Sequence, residues 1–407
     1  MQDTPKGNRL HIAIFGRRNA GKSSLINALT KQDIALVSAV PGTTTDPVYK
    51  AMEILPIGPV MIIDTAGIDD EGELGALRVE KTMQVLNKAD LAVLVIDAEI
   101  GISRFEQDIL AEIRKKKVAV VGVVNKTDLV PLHEARASEL NTELELPLLP
   151  ISAKCGQGIE ELKRQIIQHA PDDWESIPVI GDLLNPGDHV VLVVPIDLSA
   201  PKGRLILPQV QTIRDILDHD AYCSVVKERE LKDVLSNMRQ LPKFVVTDSQ
   251  EFLKAAADTP PEVLLTSFSI LFARHKGDLE TFVAGVKAID TLKPGDKVLI
   301  AEGCTHHRQA DDIGKVKIPR WLRQLVGGEL EFDWVSGGTF PKNLTQYQLI
   351  VHCGACMLNR REVLSRLTEV REKNVPIVNY GILIAHVHGI LYRALAPFPL
   401  AQLLLEE

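Results

Sequence analysis

Residues 10–23 read LHIAIFGRRNAGKS, an apolar strand-like run followed by a glycine-rich turn, a lysine and a serine. This order fits the phosphate-loop pattern G-x-x-x-x-G-K-S/T between a strand and a helix. The glycines let backbone N–H groups curl around phosphates, Lys22 adds a positive charge, and Ser23 offers a hydroxyl to Mg²⁺. The stretch therefore predicts a nucleotide-binding α/β domain at the start of the chain.

Two later segments add the expected Mg²⁺ and γ-phosphate contacts. Asp64-Thr65-Ala66-Gly67 follows an apolar run, which places the Asp64 carboxylate near Mg²⁺ and the Gly67 N–H near the γ-phosphate. The segment Pro41-Gly42-Thr43-Thr44-Thr45-Asp46 lies between the phosphate loop and Asp64. Thr44 is the predicted Mg²⁺ ligand there, and Thr43 or Thr45 would be a one-residue shift in register.

Two further segments specify guanine. Asn125-Lys126-Thr127-Asp128 follows a strand, and the Asp128 carboxylate can accept both N–H groups of guanine. Ser152-Ala153-Lys154 follows another strand, and its backbone can donate to the guanine oxygen. The sequence thus predicts GTP or GDP with Mg²⁺. The predicted nucleotide-binding residues are Asn19, Ala20, Gly21, Lys22, Ser23, Ser24, Asp64, Gly67, Asn125, Lys126, Asp128, Ser152, Ala153 and Lys154, and the predicted catalytic residues are Lys22, Thr44, Asp64 and Gly67.

These motifs resemble those of translation-factor-like GTPases, within them the tRNA-modification and ribosome-assembly branch. Ile68 stands where Ras-like proteins carry the glutamine that orients water, so either slow intrinsic hydrolysis or a water positioned by another group is expected. Asn19 matches the asparagine that binds K⁺ in the potassium-stimulated members of the branch. The resemblance therefore implies a K⁺ site at Asn19; the alternative is that Asn19 only shapes the loop.

The composition argues against some function classes. The chain has 407 residues and a formal net charge of -8. This negative charge does not favour binding to nucleic acid or to an anionic membrane. No apolar stretch approaches the roughly 20 residues that span a bilayer. The first strand begins near residue 10, which leaves no room for a signal peptide, so a cytoplasmic location is expected.

An α/β fold of three domains is predicted. A P-loop GTPase domain covers 1–172, and two smaller α/β domains with mostly parallel sheets cover 178–262 and 263–407. The stretch Ala170-Pro171-Asp172-Asp173-Trp174 marks the first boundary. The middle domain alternates strands and helices without evident chemistry, with strands predicted at 222–226 and 244–247, which suggests a spacer or a self-association surface. In the last domain a helix is predicted over 279–288, and three strands are predicted to run into the loops at Cys304, at Cys353 and Cys356, and at Asn379-Tyr380-Gly381.

Three cysteines in the last domain predict a metal site. Cys304 lies in Gly303-Cys304-Thr305-His306, and Cys353 and Cys356 lie in His352-Cys353-Gly354-Ala355-Cys356; each set follows an apolar strand-like run. Ligands on such sheets gather at the carboxyl ends of strands. Spacing alone leaves two alternatives equally favoured: a Cys₃His zinc site with His306, His307 or His352, or a [4Fe–4S] cluster on three cysteines.

The C-x-H … H-C-x-x-C pattern beside a GTPase domain resembles the [FeFe]-hydrogenase maturation GTPases, and the likeness covers the whole chain. The resemblance implies a [4Fe–4S] cluster on Cys304, Cys353 and Cys356, with His306 or His352 as candidate fourth ligands. It also implies a homodimeric scaffold that carries a transient diiron subcluster to apo-[FeFe]-hydrogenase, with radical-SAM maturases upstream. GTP hydrolysis is expected to act through conformation.

Two rival interpretations stay open from the sequence. One is a tRNA-modification or ribosome-assembly type of GTPase with a structural zinc site, against which the acidic balance argues. The other is a regulatory GTPase with a redox-sensing cluster.

Overall fold

The computed structural model describes residues 4–30, 47–65, 73–171, 177–196, 205–303 and 312–406. The chain divides into two compact units, Met1–Glu175 and Ser176–Glu407. Each unit is described separately below.

The first unit is built on a six-stranded sheet with strand order β2-β3-β1-β4-β5-β6. All pairs are parallel except β2–β3, which is antiparallel. The elements are β1 (Leu10–Phe15), α1 (Lys22–Thr30), β2 (Val48–Ile54), β3 (Gly58–Asp64), α2 (Glu73–Leu86), β4 (Leu91–Asp97), α3 (Arg104–Lys115), β5 (Ala119–Asn125), α4 (Glu134–Leu144), β6 (Leu148–Pro150) and α5 (Ile159–His169).

The central strand β1 explains why both faces of this sheet are covered. Its six residues are all buried. Leu10, Ile12 and Ile14 join one apolar cluster, whereas Ala13 and Phe15 join another. Since successive side chains of a strand point to opposite faces, the two clusters lie on the two sides of the sheet. A strand buried on both faces is typical of parallel α/β sheets.

The second unit contains two four-stranded parallel sheets, with orders β10-β9-β7-β8 and β12-β11-β13-β14. Its elements are β7 (His189–Val193), α6 (Leu207–Asp218), β8 (Tyr222–Val226), α7 (Leu231–Asn237), β9 (Phe244–Thr247), α8 (Phe252–Asp258), β10 (Leu264–Ser267), α9 (Phe268–Lys276), α10 (Leu279–Ala284), α11 (Lys287–Thr291), β11 (Lys297–Glu302), α12 (Ile318–Val326), β12 (Glu331–Ser336), β13 (Leu349–His352), α13 (Arg360–Glu372), β14 (Ile377–Asn379), α14 (Tyr380–Val387), α15 (Leu391–Ala394) and α16 (Pro399–Leu403).

The predicted α/β class, with one nucleotide-type domain followed by two smaller parallel sheets, is confirmed. Residues from both smaller sheets share one apolar core. Strand β10 pairs with β9, so the first of these sheets extends to Ser267, beyond the predicted boundary at residue 262. The individual limits 178–262 and 263–407 stay predictions.

One predicted helix differs from the observed structure. The sequence suggests a continuous helix over 279–288, but the structure has α10 and α11 with a break around Gly285. A Cβ on Gly285 would lie 2.0 Å from the Ile377 carbonyl oxygen. The backbone of this segment therefore packs directly on β14, and the close approach accounts for the glycine.

Candidate nucleotide and metal sites

The phosphate loop joins β1 to α1 and needs glycine at two points. A Cβ on Gly16 would lie 2.6 Å from the Val95 carbonyl oxygen, and one on Gly21 would lie 2.2 Å from Asn125 Nδ2. Both glycines also have positive φ, +156° and +90°. Asn19, at φ 62°, adopts a left-handed conformation that asparagine tolerates. The loop thus has the tight backbone that the sequence pattern predicts.

Lys22 holds its charge inside this loop. The residue is buried, and its Nζ donates to the carbonyl oxygens of Gly16 and Arg17, each at 2.7 Å. These contacts keep the ammonium beside the backbone that would surround phosphate groups. A buried cation in this position suits an anionic ligand.

Ser23 and Asp64 form the pair expected around Mg²⁺. Ser23 Oγ donates to Asp64 Oδ2 at 2.8 Å. Burial raises the pKa of Asp64, although the Ser23 hydrogen bond and the charges of Lys22 and Lys50 oppose this shift. The second carboxylate oxygen, Oδ1, is buried and has no hydrogen-bond partner among the residues that the structure describes. A hard cation prefers such oxygen ligands, so these two residues fit Mg²⁺.

Asn125 ties the guanine motifs to the phosphate loop. Its Nδ2 donates to the Ala20 carbonyl at 2.9 Å, and its Oδ1 accepts from the Ala153 N–H at 3.0 Å. Ser152 Oγ donates to Asp128 Oδ1 at 2.6 Å. Three separate sequence motifs therefore meet at one end of the sheet. Asp128 and Lys154 are exposed there, where a base could reach them.

Two ion pairs support this site and were not predicted. Lys126 Nζ lies 2.6 Å from Oδ2 of the buried Asp97, the last residue of β4. Arg17 Nε lies 2.7 Å from Oε1 of Glu106, whose side chain is fully buried. The sequence Ser103-Arg104-Phe105-Glu106 is a capping-box pattern that could have pointed to Glu106. Nothing in the local sequence signals its Arg17 partner.

The remaining predicted nucleotide residues divide into two groups. Ser24 lies exposed in the first turn of α1, and Asn19 is exposed in the loop. Thr44, with Thr43 and Thr45, and Gly67 with Ile68 lie outside the described residues. Their roles stay predictions.

The predicted meeting of three strand ends in the second unit is confirmed. Strands β11, β13 and β14 are parallel neighbours, with Ala301 opposite His352 and His352 opposite Asn379. The Gly303 N–H donates to Cys353 Sγ at 3.0 Å. The residue directly before Cys304 therefore contacts the first cysteine of the C-x-x-C motif.

The Cys353 sulfur accepts hydrogen bonds from the backbone on both sides of the predicted metal site. Its Sγ accepts a second, longer hydrogen bond from the Ala355 N–H at 3.4 Å, and Ala355 has a left-handed backbone at φ 53°. Burial raises the pKa of Cys353, and the Gly303 and Ala355 N–H groups oppose that shift. Backbone donors of this kind stabilise a thiolate bound to a metal, so the loop fits a cluster or a zinc ion.

The complete metal site cannot be assembled from the described residues. In the parts of the chain with described structure, no group of three or more His, Cys, Asp or Glu side chains could hold a metal ion. Cys304, His306 and His307 fall between the described ranges ending at 303 and starting at 312. The three-cysteine set stays a prediction, supported by the contact between Gly303 and Cys353.

His352, a candidate fourth ligand, is buried with both ring nitrogens engaged. Nδ1 lies 2.8 Å from the Cys353 carbonyl oxygen, and Nε2 lies 3.1 Å from Arg366 Nη1. Burial and then the Arg366 charge lower the pKa of His352 to about 3. The ring is therefore neutral at ordinary pH, and it would bind iron only after giving up a contact.

The fold and the nucleotide site define a P-loop GTPase domain, and a family model described as a 50S ribosome-binding GTPase matches residues 11–126. Two more models cover the second unit: the hydrogen maturase F dimerization domain over residues 179–277 and the hydrogen maturase F tetramerization domain over residues 280–397. The chain belongs to the hydrogen maturase F family.

The curated relatives MnmE and Der match the GTPase domain of this chain. A tRNA modification GTPase MnmE from Dechloromonas aromatica is 35% identical over 162 residues, 40% of this chain and 35% of the relative. GTPase Der from Kosmotoga olearia is 37% identical over 166 residues, 38% of this chain and 37% of the relative. The chain thus spans about a third of the length of these curated relatives. A solved structure of Era with MgGDPNP and 16S ribosomal RNA is 22% identical, with a TM-score of 0.37 over 53% of this chain and 92% of that one.

Among the described residues, every helix is too short or too polar to cross a membrane.

Proposed function

We propose that this protein is a GTP-hydrolysing scaffold for the maturation of [FeFe]-hydrogenase, with a [4Fe–4S] cluster on Cys304, Cys353 and Cys356. The observation that carries the proposal is the hydrogen bond from the Gly303 N–H to Cys353 Sγ. It brings the chain entering Cys304 to the first thiol of the C-x-x-C motif. Membership of the hydrogen maturase F family supports the assignment of hydrogenase maturation.

The first unit would bind and hydrolyse GTP. Lys22 would hold the β- and γ-phosphates, while Ser23 and Asp64 would hold Mg²⁺, which neutralises phosphate charge when it is bound. Thr44 and Gly67 would complete the γ-phosphate contacts. Asn19 would bind K⁺ and so increase a slow intrinsic rate. Equal GTP turnover in K⁺ and Na⁺ would contradict the K⁺ site.

The second unit would hold the cluster and the cargo. A three-cysteine cluster leaves one iron for another ligand, and His306, His352 or an exchangeable group could occupy that position. The substrate carried there would be a diiron subcluster, received with the help of radical-SAM maturases and delivered to apo-hydrogenase in the cytoplasm. GTP would act on partner docking through conformation, because the nucleotide motifs and the cysteines belong to different units.

Self-association would occur through the second unit. Both of its family models describe oligomerization domains. Strand β8 lies at the edge of its sheet, and its Tyr222 and Val225 are 53% and 45% exposed. Exposed apolar edge strands tend to pair with another chain, so we place a homodimer contact on β8. Val225→Lys should then lower the mass measured by light scattering, whereas Lys232→Glu on α7 should not.

Metal content after anaerobic purification provides the primary test. Iron and sulfide in about equal amounts, with an EPR signal on reduction, are expected from the full chain. Cys353→Ser should lose iron and keep GTP binding, while Lys22→Ala should lose GTP binding and keep iron. Zinc without iron would contradict the maturase assignment. Loss of iron in Lys22→Ala would contradict the separation of roles.

A second candidate is a tRNA-modification type of GTPase with a structural zinc. The likeness of the first unit to MnmE favours it. That likeness covers 40% of the chain and leaves the second unit unaccounted for. A zinc-loaded protein that binds tRNA would support this candidate.

A further inference from the structure

We infer that Arg366 is a positioning residue for the cysteine loop: it holds His352 through Nε2, and His352 in turn holds the Cys353 peptide. The inference rests on the proposed cluster site. It assigns a role to a helix residue outside the C-x-H … H-C-x-x-C pattern. It also implies that His352 does not bind iron directly.

The Arg366 guanidinium is buried and fixed by several partners. Only 4% of the residue is exposed. Nη1 lies 3.1 Å from His352 Nε2, while Nη2 donates to the Gly337 carbonyl at 2.6 Å and to Glu362 Oε1 at 3.2 Å. Its central carbon lies 5.2 Å from the centre of the Phe340 ring. An arginine held by this many groups has a defined orientation, so its contact with His352 is directional.

This contact determines which His352 nitrogen carries the proton. A guanidinium can only donate, so His352 Nε2 must accept. The neutral ring then carries its hydrogen on Nδ1, which donates to the Cys353 carbonyl at 2.8 Å. His352 therefore links α13 to the peptide of the first cysteine. Neither ring nitrogen has a lone pair left for iron while Arg366 stays in place.

The Cys353 residue is thus held at both its carbonyl and its sulfur. Its carbonyl also lies 3.4 Å from Nδ2 of the fully buried Asn379, at the end of β14. Its sulfur accepts the N–H groups of Gly303 and Ala355. Groups that fix a ligand's orientation typically change metal affinity about 10- to 100-fold when they are removed. Arg366 supports this arrangement from the helix side through His352.

The test compares full-length proteins reconstituted anaerobically with iron and sulfide. Arg366→Met should release iron to a chelator about tenfold faster than wild type and shift the midpoint potential of the cluster. His352→Leu should do the same. His352→Asn keeps a donor at the Nδ1 position but removes the Nε2 acceptor of Arg366, so its rate of iron release should lie between those of wild type and His352→Leu. Arg371→Met, on the same helix, is the matched control and should behave as wild type.

Two spectroscopic results complete the test. Pulsed EPR of wild type and His352→Asn should show the same nitrogen couplings. In the metal-free chain, long-range ¹H–¹⁵N spectra should show His352 protonated at Nδ1, and Arg366→Met should alter that signal. If Arg366→Met does not fold, Arg366→Lys retains one donor and should release iron at a rate closer to wild type than to His352→Leu.

The outcomes separate this inference from the proposed function. Unchanged iron release and potential in Arg366→Met would overturn the inference while leaving the cluster assignment intact. A nitrogen coupling present in wild type and absent in His352→Asn would show that His352 binds iron, and would also overturn it. A wild-type protein without an iron–sulfur cluster would overturn the proposed function, and the metal-free spectra would still test the Arg366 contact.

Discussion

Asp64 shows a conflict between ligand binding and stability at the scale of one residue. Burial raises its pKa, which means that the folded chain binds the Asp64 proton more tightly than the unfolded chain does. Stability therefore falls as pH rises from the usual value of 3.8 through the raised pKa. The ionised carboxylate thus lowers the free energy of unfolding of the metal-free protein at neutral pH, and bound Mg²⁺ would offset this loss.

Asp64→Asn should consequently raise the melting temperature of the nucleotide-free protein at pH 7, because the amide carries no charge and its oxygen can still accept from Ser23. The difference in melting temperature between Asp64→Asn and wild type should shrink as pH falls toward 3.8, because the wild-type Asp64 is then itself protonated in the folded chain. The same variant should lose the stabilisation by Mg²⁺ and GTP. Calorimetry across this pH range checks both effects. Asp108→Asn on the exposed face of α3 is the control, and a lower melting temperature for Asp64→Asn at pH 7 would contradict the account.

At this scale, short and continuous motifs predicted which residues lie together, and the roles of those residues stay predictions. The loop around Lys22 and the Ser23–Asp64 pair agree with the geometry that the motifs imply. The partners Arg17–Glu106 and His352–Arg366 could not be predicted, because each pair joins different elements and depends on how they pack. Thr44, Gly67 and Cys304 lie outside the described residues and stay predictions.

At the scale of elements, one ion pair attaches the phosphate loop to α3. Glu106 is fully buried, and its other oxygen accepts from the Ser103 N–H and hydroxyl. Arg17→Met would leave the carboxylate without its cationic partner, which costs roughly 3 kcal/mol for a buried pair. Urea unfolding should show this loss. Arg17→Met/Glu106→Gln should recover a large part of it, since the buried charge is then absent.

The exposed Arg104 offers a control for this pair, because its side chain is 92% exposed. Arg104→Met should change the free energy of unfolding by less than about 0.5 kcal/mol. A double variant no more stable than Arg17→Met alone would mean that Arg17 contributes through packing instead of charge.

Gly285 allows a second prediction about elements. It has a right-handed helical backbone, so alanine would gain about 1 kcal/mol of helix propensity there. Its Cβ would, however, lie 2.0 Å from the Ile377 carbonyl oxygen in β14. Overpacking costs about 1–3 kcal/mol or more, and backbone atoms cannot rotate away. Gly285→Ala should therefore be destabilising by about 2 kcal/mol in urea unfolding.

Gly338→Ala is a suitable comparison, because its nearest neighbour would be the flexible Glu362 side chain at 3.5 Å. Its free energy of unfolding should change little. If Gly285→Ala is as stable as wild type, the α10–α11 segment moves away from β14 at little cost.

Regular strands and helices were largely predictable, and the exceptions have physical reasons. Strands β8 and β9 match the predicted ranges because their apolar runs are short and bounded by polar turns. Strand β12 was not predicted: it lies at a sheet edge, and charged residues interrupt its apolar positions. The helix break near Gly285 depends on contact with β14, which a local pattern cannot reveal.

At the scale of the whole molecule, each unit has apolar cores of its own. We expect two transitions in thermal unfolding, because separate cores can unfold separately. GTP with Mg²⁺ should raise only the melting temperature of the first unit. The corresponding stabilisation is about 2.7 kcal/mol at a ligand concentration of 100 times Kd. Loading of the proposed cluster should raise only the melting temperature of the second unit. A single transition shifted by both ligands would contradict independent units.

The register of β11, β13 and β14 has a consequence for the timing of biogenesis. The chain segments that lead into the predicted cluster cysteines become neighbours through strand pairs that join residues near 301, 352 and 379. A ribosome exposes these segments one after another, so a nascent chain that has just emerged past Cys304 holds one of the three predicted cluster cysteines. Under the proposed cluster assignment, iron would be inserted only after nearly the whole chain has been synthesised and the sheet has paired. The proposed donor of iron and sulfide would therefore recognise a finished domain instead of a nascent chain.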